Sequence, residues 1–131
     1  MTVGVMVQME FSNVPSVEKL ESSNRKVIIM NYIKSVEAWA ANRGLDKTNS
    51  DKQLIKLIEE VGELSEAHNK NWRDKQIDSI GDIFVVLTIY ALQNGLHLDD
   101  CVKEAYDTIK DRDGKMIDGV FVKNSDLEAE K

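Results

Sequence analysis

The chain has 131 residues, of which 42% are hydrophobic and 31% charged, and its formal net charge is −6. These values suit one soluble globular domain with a modest core, and the negative charge argues against broad binding to nucleic acid or to anionic membranes. The single cysteine, Cys101, excludes an internal disulfide framework and fits a reducing compartment, and the apolar stretch over residues 83–92 is too short to span a bilayer, so we expect a cytoplasmic protein.

The first part of the chain predicts an extended arm followed by a helix. Residues 2–11 alternate weakly between apolar and polar side chains, and Pro15 ends this segment, so we expect a short strand or a loose arm. From residue 24 to 43 apolar side chains recur near helical period, and Gly44 is a typical stop signal. The apolar positions are Val27, Met30, Ile33, Val36, Trp39 and Ala40.

Two further helices are predicted between residues 50 and 93. Ser50 is a typical N-cap for a helix that ends near Asn69. The next helix begins near residue 76 and is apolar nearly all round, so we expect other elements to surround it. Its apolar run is also compatible with a buried strand, but its length and polar opening favour a helix. The stripe expected to be buried on the earlier helix is Leu54, Leu57, Ile58, Val61 and Leu64.

A fourth helix and a hairpin follow. Asp99 or Asp100 is the expected cap of a helix that ends near residues 113–114, and the Asp118-Gly119 pair between apolar residues is a hairpin signal. The acidic tail after residue 124 is expected to fray. We therefore predict an all-α antiparallel four-helix bundle, formed as a single domain over 1–131 with its core at about 24–114, an arm over 1–15, and the hairpin and tail over 115–131.

An acidic cluster marks the second helix. A solvated acidic face would explain such a cluster, although like charges at helical spacing repel and so hint at a cation. Gly62 inside the cluster costs about 0.8–1.0 kcal/mol relative to alanine, which is easier to understand if a neighbouring helix or a ligand comes close. Four glutamates fall within roughly one third of the helix circumference: Glu59, Glu60, Glu63 and Glu66.

Asp82 turns this cluster into a candidate cation site. Of the nine residues after it, only Thr88 is neither apolar nor aromatic, and Asp82 should lie beyond the first turn, where the helix dipole no longer explains an acid. The dipole does explain Asp78. Carboxylates are costly to desolvate unless they are paired or bind a metal. Glu60, Glu63 and Asp82 together therefore predict an all-oxygen site that suits Mg²⁺ or Mn²⁺.

The motif Glu59-Glu60-x-x-Glu63, followed by Ser79-x-x-Asp82 on an apolar helix, resembles the MazG-like all-α nucleoside triphosphate pyrophosphohydrolases. The run Val-Gly-Glu-Leu-Ser-Glu at 61–66 is similar to the sequence that the family usually has at this position, and residues 105–123 look like the phage-type members in particular. The resemblance covers about residues 31–122. It implies a Mg²⁺-dependent enzyme that releases pyrophosphate from a nucleoside triphosphate, forms a homodimer or homotetramer, and works in the host cytoplasm if a phage encodes it.

The resemblance also implies roles for individual residues. Glu60, Glu63 and Asp82 would be Mg²⁺ ligands, and Ser79 stands where the family has a fourth ligand, a glutamate. The adjacent Asp78 is the obvious substitute for that ligand.

Catalysis would need a proton acceptor and groups that hold the substrate. Glu59 would hold a second metal or orient the attacking water, and either Glu59 or Glu63 would accept the proton of that water. Asp107 stands where the family often has asparagine, so nucleotide contact there would be altered. Substrate contacts are expected from Lys103, Asp107, Lys110, Arg112 and, by stacking on the base, Trp72.

Two other interpretations stay open. The first is an enzyme similar to phosphoribosyl-ATP pyrophosphohydrolase, which would use the same metal chemistry on a different substrate. The second is a non-catalytic helical oligomerisation or interaction module whose metal site has decayed, as the departures at Ser79 and Asp107 would allow. Trp39 lies on the apolar stripe of the first helix and is expected to be core rather than a base-stacking residue.

Overall fold

The computed structural model describes the backbone of residues 22–129 and the side chains of residues 32–129. The arm predicted over residues 1–15 lies outside the described residues. The all-α fold class is confirmed, with one small two-stranded sheet in addition. In chain order the elements are α1 (Ser22–Ala41), a 3₁₀ turn (Leu45–Lys47), α2 (Asp51–Asn69), α3 (Arg73–Gln93), α4 (Leu98–Ile109), β1 (Gly114–Ile117), β2 (Val120–Lys123) and α5 (Asn124–Ala129).

Helix α3 is the centre of the bundle, since α1, α2, α4 and the 3₁₀ turn all pack against it. Its second half is well covered, but Ile77 and Ile80 in its first half are 60% and 58% exposed. The prediction that other elements surround α3 therefore holds for only part of its length. Among the described residues the buried apolar side chains are Ile33, Ala40, Ala67, Val86, Ile89 and Ala91.

The predicted buried stripe of α2 is wrong at three of its five positions, whereas Leu57 and Leu64 are half-buried. Leu54, Ile58 and Val61 are 45%, 68% and 50% exposed, whereas Glu60 and Ala67 on the same helix are buried. The buried face of α2 is therefore rotated away from its most hydrophobic face. Helix α2 therefore keeps a large aliphatic surface that nothing in the described chain covers.

Two helix ends differ from the prediction. Helix α3 begins at Arg73, with Trp72 at its N-cap, so Asp78 lies in the second turn and the helix-dipole explanation for it is wrong. Helix α4 begins at Leu98 with His97 at the N-cap, two or three residues before the predicted cap. It also ends at Ile109 rather than near residues 113–114, because the chain must become extended to enter β1 at Gly114.

The predicted hairpin is confirmed. Asp118 and Gly119 form its turn with φ angles of 50° and 78°, and Ile117 pairs with Val120 across the antiparallel strands. The tail that was expected to fray instead forms α5, which packs on β2. A segment beginning Asn-Ser-Asp favours a helix start, since these side chains serve as N-terminal hydrogen-bond acceptors.

Among the described helices, none by itself has the length and hydropathy of a membrane span. Helices α3 and α4 pass that test only when they are taken together, and they meet at a bend of 105°.

Candidate metal and nucleotide site

A tight turn between α2 and α3 brings the two acidic motifs together. Asn71 adopts a left-handed φ of 53°, and the backbone N–H of Trp72 donates to the carbonyl of Ala67 at 2.9 Å, which folds α3 back along α2. In such a helical hairpin, residues equally far from the turn lie side by side. Glu60 and Asp82 are each eleven residues from Asn71, so the hairpin sets the two motifs against each other.

Glu60, Glu63, Asp78 and Asp82 form an acidic cluster on these two helices, and Glu60 is its most buried member. It is only 7% exposed, and its Oε2 atom has no hydrogen-bond partner among the described residues. Burial raises the pKa of Glu60, and the charges of Asp82 and Glu63 raise it further. Lys56 acts in the opposite direction through its Nζ atom, which lies 3.8 Å from Glu60 Oε1.

Burial and neighbouring carboxylates also raise the pKa of Asp82. It is half-buried, and desolvation is the largest cause of its raised pKa, followed by the charges of Asp78 and Glu63. Lys56 is again the cation that lowers the pKa. Four carboxylates therefore repel one another around one partly exposed lysine, an arrangement that a divalent cation would relieve.

Ser79 and Asp78 lie where the resemblance implies a fourth metal ligand. Ser79 is 3% exposed and faces the interior, at the position where the family has glutamate. Asp78 is exposed, one residue further round the helix, yet it is the largest charge effect on the pKa of Asp82. The carboxylate is thus displaced outward while the interior position holds a hydroxyl group.

The remaining glutamate of the motif and the neighbouring glycine lie at the surface. Glu59 is exposed on α2, beside the buried Glu60. A Cβ atom built on Gly62 would meet nothing within 4 Å in the described chain. The expectation that a neighbouring helix approaches Gly62 is therefore wrong within the described protomer.

The predicted phosphate-binding residues form a separate group on α4. Asp107 accepts hydrogen bonds from Lys103 at 2.5 Å and from Lys110 at 3.0 Å, and all three side chains are exposed. These bonds lower the pKa of Asp107, and the bond with Asp107 raises the pKa of Lys103. The structure therefore brings these three side chains together with one another on α4, whereas the acidic cluster lies on α2 and α3.

The two tryptophans both lie at the surface. Trp72 is 42% exposed and is flanked by Lys70 and Lys75, whose Nζ atoms lie 4.5 Å and 5.6 Å from its ring centroid. Trp39 is 46% exposed, with the Arg43 guanidinium 4.3 Å from its ring centroid, so the expectation that Trp39 is core is wrong. Both rings stack with cations because helix ends place long basic side chains beside them.

Sequence reasoning missed Lys56 and a second cluster. Lys56 could have been found, since it precedes Glu60 by four residues and so shares its helix face. The second cluster joins Glu37 on α1 to His97 and Asp99 at the start of α4, with His97 Nδ1 and Glu37 Oε2 2.7 Å apart. The hydrogen bond with Glu37 and the charge of Glu37 raise the pKa of His97. No sequence pattern connects positions 60 residues apart.

The geometry of this second cluster is tighter than that of the acidic cluster. Across the described part of the chain, the one group of three potential ligands whose donor atoms all lie within 4.8 Å of one another is Glu37, His97 and Asp99. The acidic cluster is more open, so its carboxylates would have to draw together around an ion.

Comparison with known proteins gives a family and one phage relative. The family model for phosphoribosyl-ATP pyrophosphohydrolase matches residues 34–108, and this family belongs to the MazG-like all-α NTP pyrophosphohydrolase superfamily. An uncharacterized 18.2 kDa protein from the rep-hol intergenic region of Haemophilus phage HP1 is 44% identical over 77 residues, which are 58% of this chain and 46% of that protein. The matched region thus spans about half of the relative's length. No solved structure matches the chain.

Proposed function

This chain belongs to the phosphoribosyl-ATP pyrophosphohydrolase family, and from that premise we propose that it hydrolyses a nucleoside triphosphate to the monophosphate and pyrophosphate. The observation that carries the proposal is the acidic cluster, in which Glu60 is buried with an unpartnered oxygen opposite Asp82. A cluster of this kind destabilises the protein unless a cation binds there. The likeness to an uncharacterized phage protein supports a phage origin, and a phage-encoded enzyme of this kind would act in the host cytoplasm.

The donor set of the acidic cluster fits Mg²⁺ or Mn²⁺. Every candidate donor is an oxygen atom, as these hard cations prefer, and the free Oε2 atom of Glu60 offers a place for one. The residues that would hold the ion are Glu60, Glu63 and Asp82, with Asp78 in the role of the missing glutamate. When bound, the ion neutralises phosphate oxygens and lowers the pKa of a bound water.

The chain's own residues would carry out the remaining steps. Glu63 lies exposed at the edge of the cluster, where its carboxylate can accept a proton from the attacking water, and Glu59 is the alternative acceptor. Lys103 and Lys110 would release Asp107 and hold the phosphates, so that their charge stabilises the leaving pyrophosphate. No covalent intermediate on the protein is required.

Substrate orientation would come from groups further from the cluster. Trp72 presents an exposed ring on which a base can stack, and Lys70 and Lys75 beside it add positive charge for phosphate. Arg112, exposed just beyond α4, would add a further phosphate contact.

The exposed aliphatic surface supports a homodimer or homotetramer. Ile55, Ile58 and Val61 on α2 are 57%, 68% and 50% exposed, and Ile77 and Ile80 on α3 are similarly uncovered. Contiguous apolar surface of this kind is uncommon on soluble monomers. A second copy would cover it and would also be able to bring α4 lysines to the acidic cluster of its partner.

A second candidate substrate follows from the family model itself. The family is named for phosphoribosyl-ATP pyrophosphohydrolase, and the same metal chemistry would cleave the same type of anhydride in that nucleotide. The proposal for nucleoside triphosphates rests instead on the phage-type likeness of residues 105–123.

A substrate panel tests these alternatives. Pure full-length protein is incubated with Mg²⁺ and with canonical triphosphates, deoxynucleoside triphosphates or phosphoribosyl-ATP, and pyrophosphate and orthophosphate are quantified separately. We expect pyrophosphate from one or more triphosphates, abolished by Glu63→Ala and by EDTA and retained in the control Glu66→Gln. Orthophosphate as the primary product would overturn the proposed cleavage. Turnover of phosphoribosyl-ATP alone would replace the substrate class, and no turnover at all would favour the non-catalytic module.

A further inference from the structure

The cluster of Glu37, His97 and Asp99 is chemically unlike the acidic cluster. One imidazole nitrogen and two carboxylate oxygens converge from α1 and from the start of α4, with all donor atoms within 4.8 Å of one another. The Glu37 side chain is 17% exposed, so its charge is largely removed from water. Asp99 is held in place by the backbone N–H of Asp100, which donates to its Oδ1 atom at 3.0 Å.

We propose that Glu37, His97 and Asp99 form a second metal site that takes Zn²⁺ or a similar transition-metal ion rather than Mg²⁺. A mixed set of imidazole and carboxylate donors suits zinc and its neighbours, whereas Mg²⁺ prefers oxygen atoms alone. Donor atoms bound at ~2.0–2.1 Å to a tetrahedral zinc ion lie roughly 3.3 Å apart. The observed separations of 2.7 Å to at most 4.8 Å bracket that value, so side-chain adjustments of about 1 Å would close the site without moving either helix.

The two clusters would therefore bind different metals, the acidic cluster Mg²⁺ or Mn²⁺ through oxygen atoms alone and the second cluster Zn²⁺ through a mixed donor set. Three protein ligands leave a fourth tetrahedral position, which the exposed side of His97 opens to water. In the metal-free protein the short contact between His97 and Glu37 keeps the donors assembled. The site is thus preorganised, which limits the entropy lost on binding.

Occupancy would fasten α4 to the bundle. Helix α4 has no buried residue, so its attachment depends on few contacts, and Glu37 on α1 supplies one at its first turn. The helix also carries Lys103 and Lys110. Zinc at its N-terminus would hold these lysines in place, a consequence that rests on the proposed function, whereas the metal binding itself does not.

Binding is tested on untagged full-length protein with Co²⁺ as a spectroscopic probe and Zn²⁺ as competitor. Saturating Mg²⁺ is present throughout, so that the acidic cluster is occupied. We expect d–d absorption much more intense than that of aquated Co²⁺ at one equivalent of Co²⁺, and a return to the spectrum of the aquated ion on adding Zn²⁺. His97→Ala should weaken Co²⁺ binding by about 100-fold or more, because even removal of outer-sphere partners costs 10–100-fold. Glu37→Gln, which keeps a hydrogen-bonding group beside His97, is a second variant with the same expectation and less risk to folding.

Three controls make the outcome decisive. His68→Ala removes the chain's other histidine, Cys101→Ser removes its one thiol, and Glu63→Ala disables the acidic cluster; all three should bind Co²⁺ like the wild type. A wild-type spectrum no more intense than that of aquated Co²⁺ would overturn the proposal and leave a plain ion pair between His97 and Glu37. Equal binding by His97→Ala, or loss of binding in Cys101→Ser, would also overturn it. Loss of hydrolysis with intact Co²⁺ binding in Glu63→Ala would separate this site from the proposed catalytic one.

Discussion

Glu60→Gln should stabilise the metal-free protein and abolish its response to Mg²⁺. The substitution keeps the shape of the side chain and removes a charge that is buried, lacks a partner at Oε2 and is repelled by Asp82 and Glu63. A residue with a purely structural role would behave in the opposite way, since loss of its contact with Lys56 would destabilise the fold.

The expected change in the free energy of unfolding of Glu60→Gln is the difference between two opposing effects. Removing the buried charge, and letting the new amide N–H₂ group donate to a neighbouring carboxylate, is worth about 1–3 kcal/mol, while the pair with Lys56, at 3.8 Å and with a half-exposed lysine, is worth roughly 0–1 kcal/mol. The net gain is about 1–2 kcal/mol, which at about 4 °C per kcal/mol for a domain of this size raises Tm by roughly 4–8 °C.

In excess Mg²⁺ the wild type should become more stable than Glu60→Gln, the reverse of their order in EDTA. At about 100 times its Kd, the ion stabilises the wild type by ~2.7 kcal/mol, and the variant lacks the ligand for most of that gain. The assay is thermal unfolding of both proteins in EDTA and in excess Mg²⁺. Glu66→Gln is the matched control, since it removes a glutamate of the same helix from an exposed pair with Lys70 and should change stability by about 0.5 kcal/mol or less. A lower Tm for Glu60→Gln in EDTA, or equal Mg²⁺ shifts in both proteins, would refute the reasoning.

Three further predictions test the same electrostatics. Folding raises the pKa of Glu60, so its carboxyl contributes to stability below its ordinary titration range and loses that contribution as the pH rises through the raised pKa. In EDTA the Tm of the wild type should therefore fall further below that of Glu60→Gln as the pH rises from 4 to 7. A difference in Tm that stays constant over this range would contradict the argument. Ser79→Glu places a carboxylate at a position that is 3% exposed, so it should lower stability in EDTA by about 1–3 kcal/mol and enlarge the Mg²⁺-induced Tm shift, whereas an unchanged shift would count against a ligand position there. Asp107→Asn frees Lys103 and Lys110 from an exposed ion pair, so steady-state kinetics should show KM for the triphosphate falling about threefold, equivalent to ~0.7 kcal/mol, with kcat little changed; a higher KM would mean that Asp107 itself serves the substrate.

The helices were predictable because their signals are local. Ser50 does lie at the N-cap position of α2, although its hydroxyl makes no capping hydrogen bond. Gly44 follows α1 with a left-handed φ of 71°, and the Asp118-Gly119 turn needs two positive φ angles that such residues accept. The opposition of Glu60 and Asp82 was also within reach, because a short connection between two helices forces antiparallel neighbours. These inferences depend on neighbours in sequence, which any single chain displays.

Which face of α2 packs against the rest of the protein could not be predicted in the same way. Hydrophobic periodicity shows which face avoids water, but it does not distinguish a face that packs within the protomer from one left for another chain. Ile58 and Val61 belong to the uncovered face, while Glu60 takes the interior position. The contact between Glu37 and His97 was likewise hidden, since it depends on how α1 and α4 meet around α3.

Direct measurement of Mn²⁺ binding by electron paramagnetic resonance tests the central claim, that the acidic cluster is a cation site. Free Mn²⁺ gives a signal that bound Mn²⁺ largely loses, so a titration reports the Kd without any assumption about substrate. We predict that Asp82→Asn and Glu60→Gln weaken Mn²⁺ binding by about 100-fold or more, because loss of even an outer-sphere partner costs 10–100-fold, while Glu66→Gln and Glu37→Gln bind like the wild type. Equal Kd values for the wild type and Asp82→Asn, or a loss of binding confined to Glu37→Gln, would contradict the account.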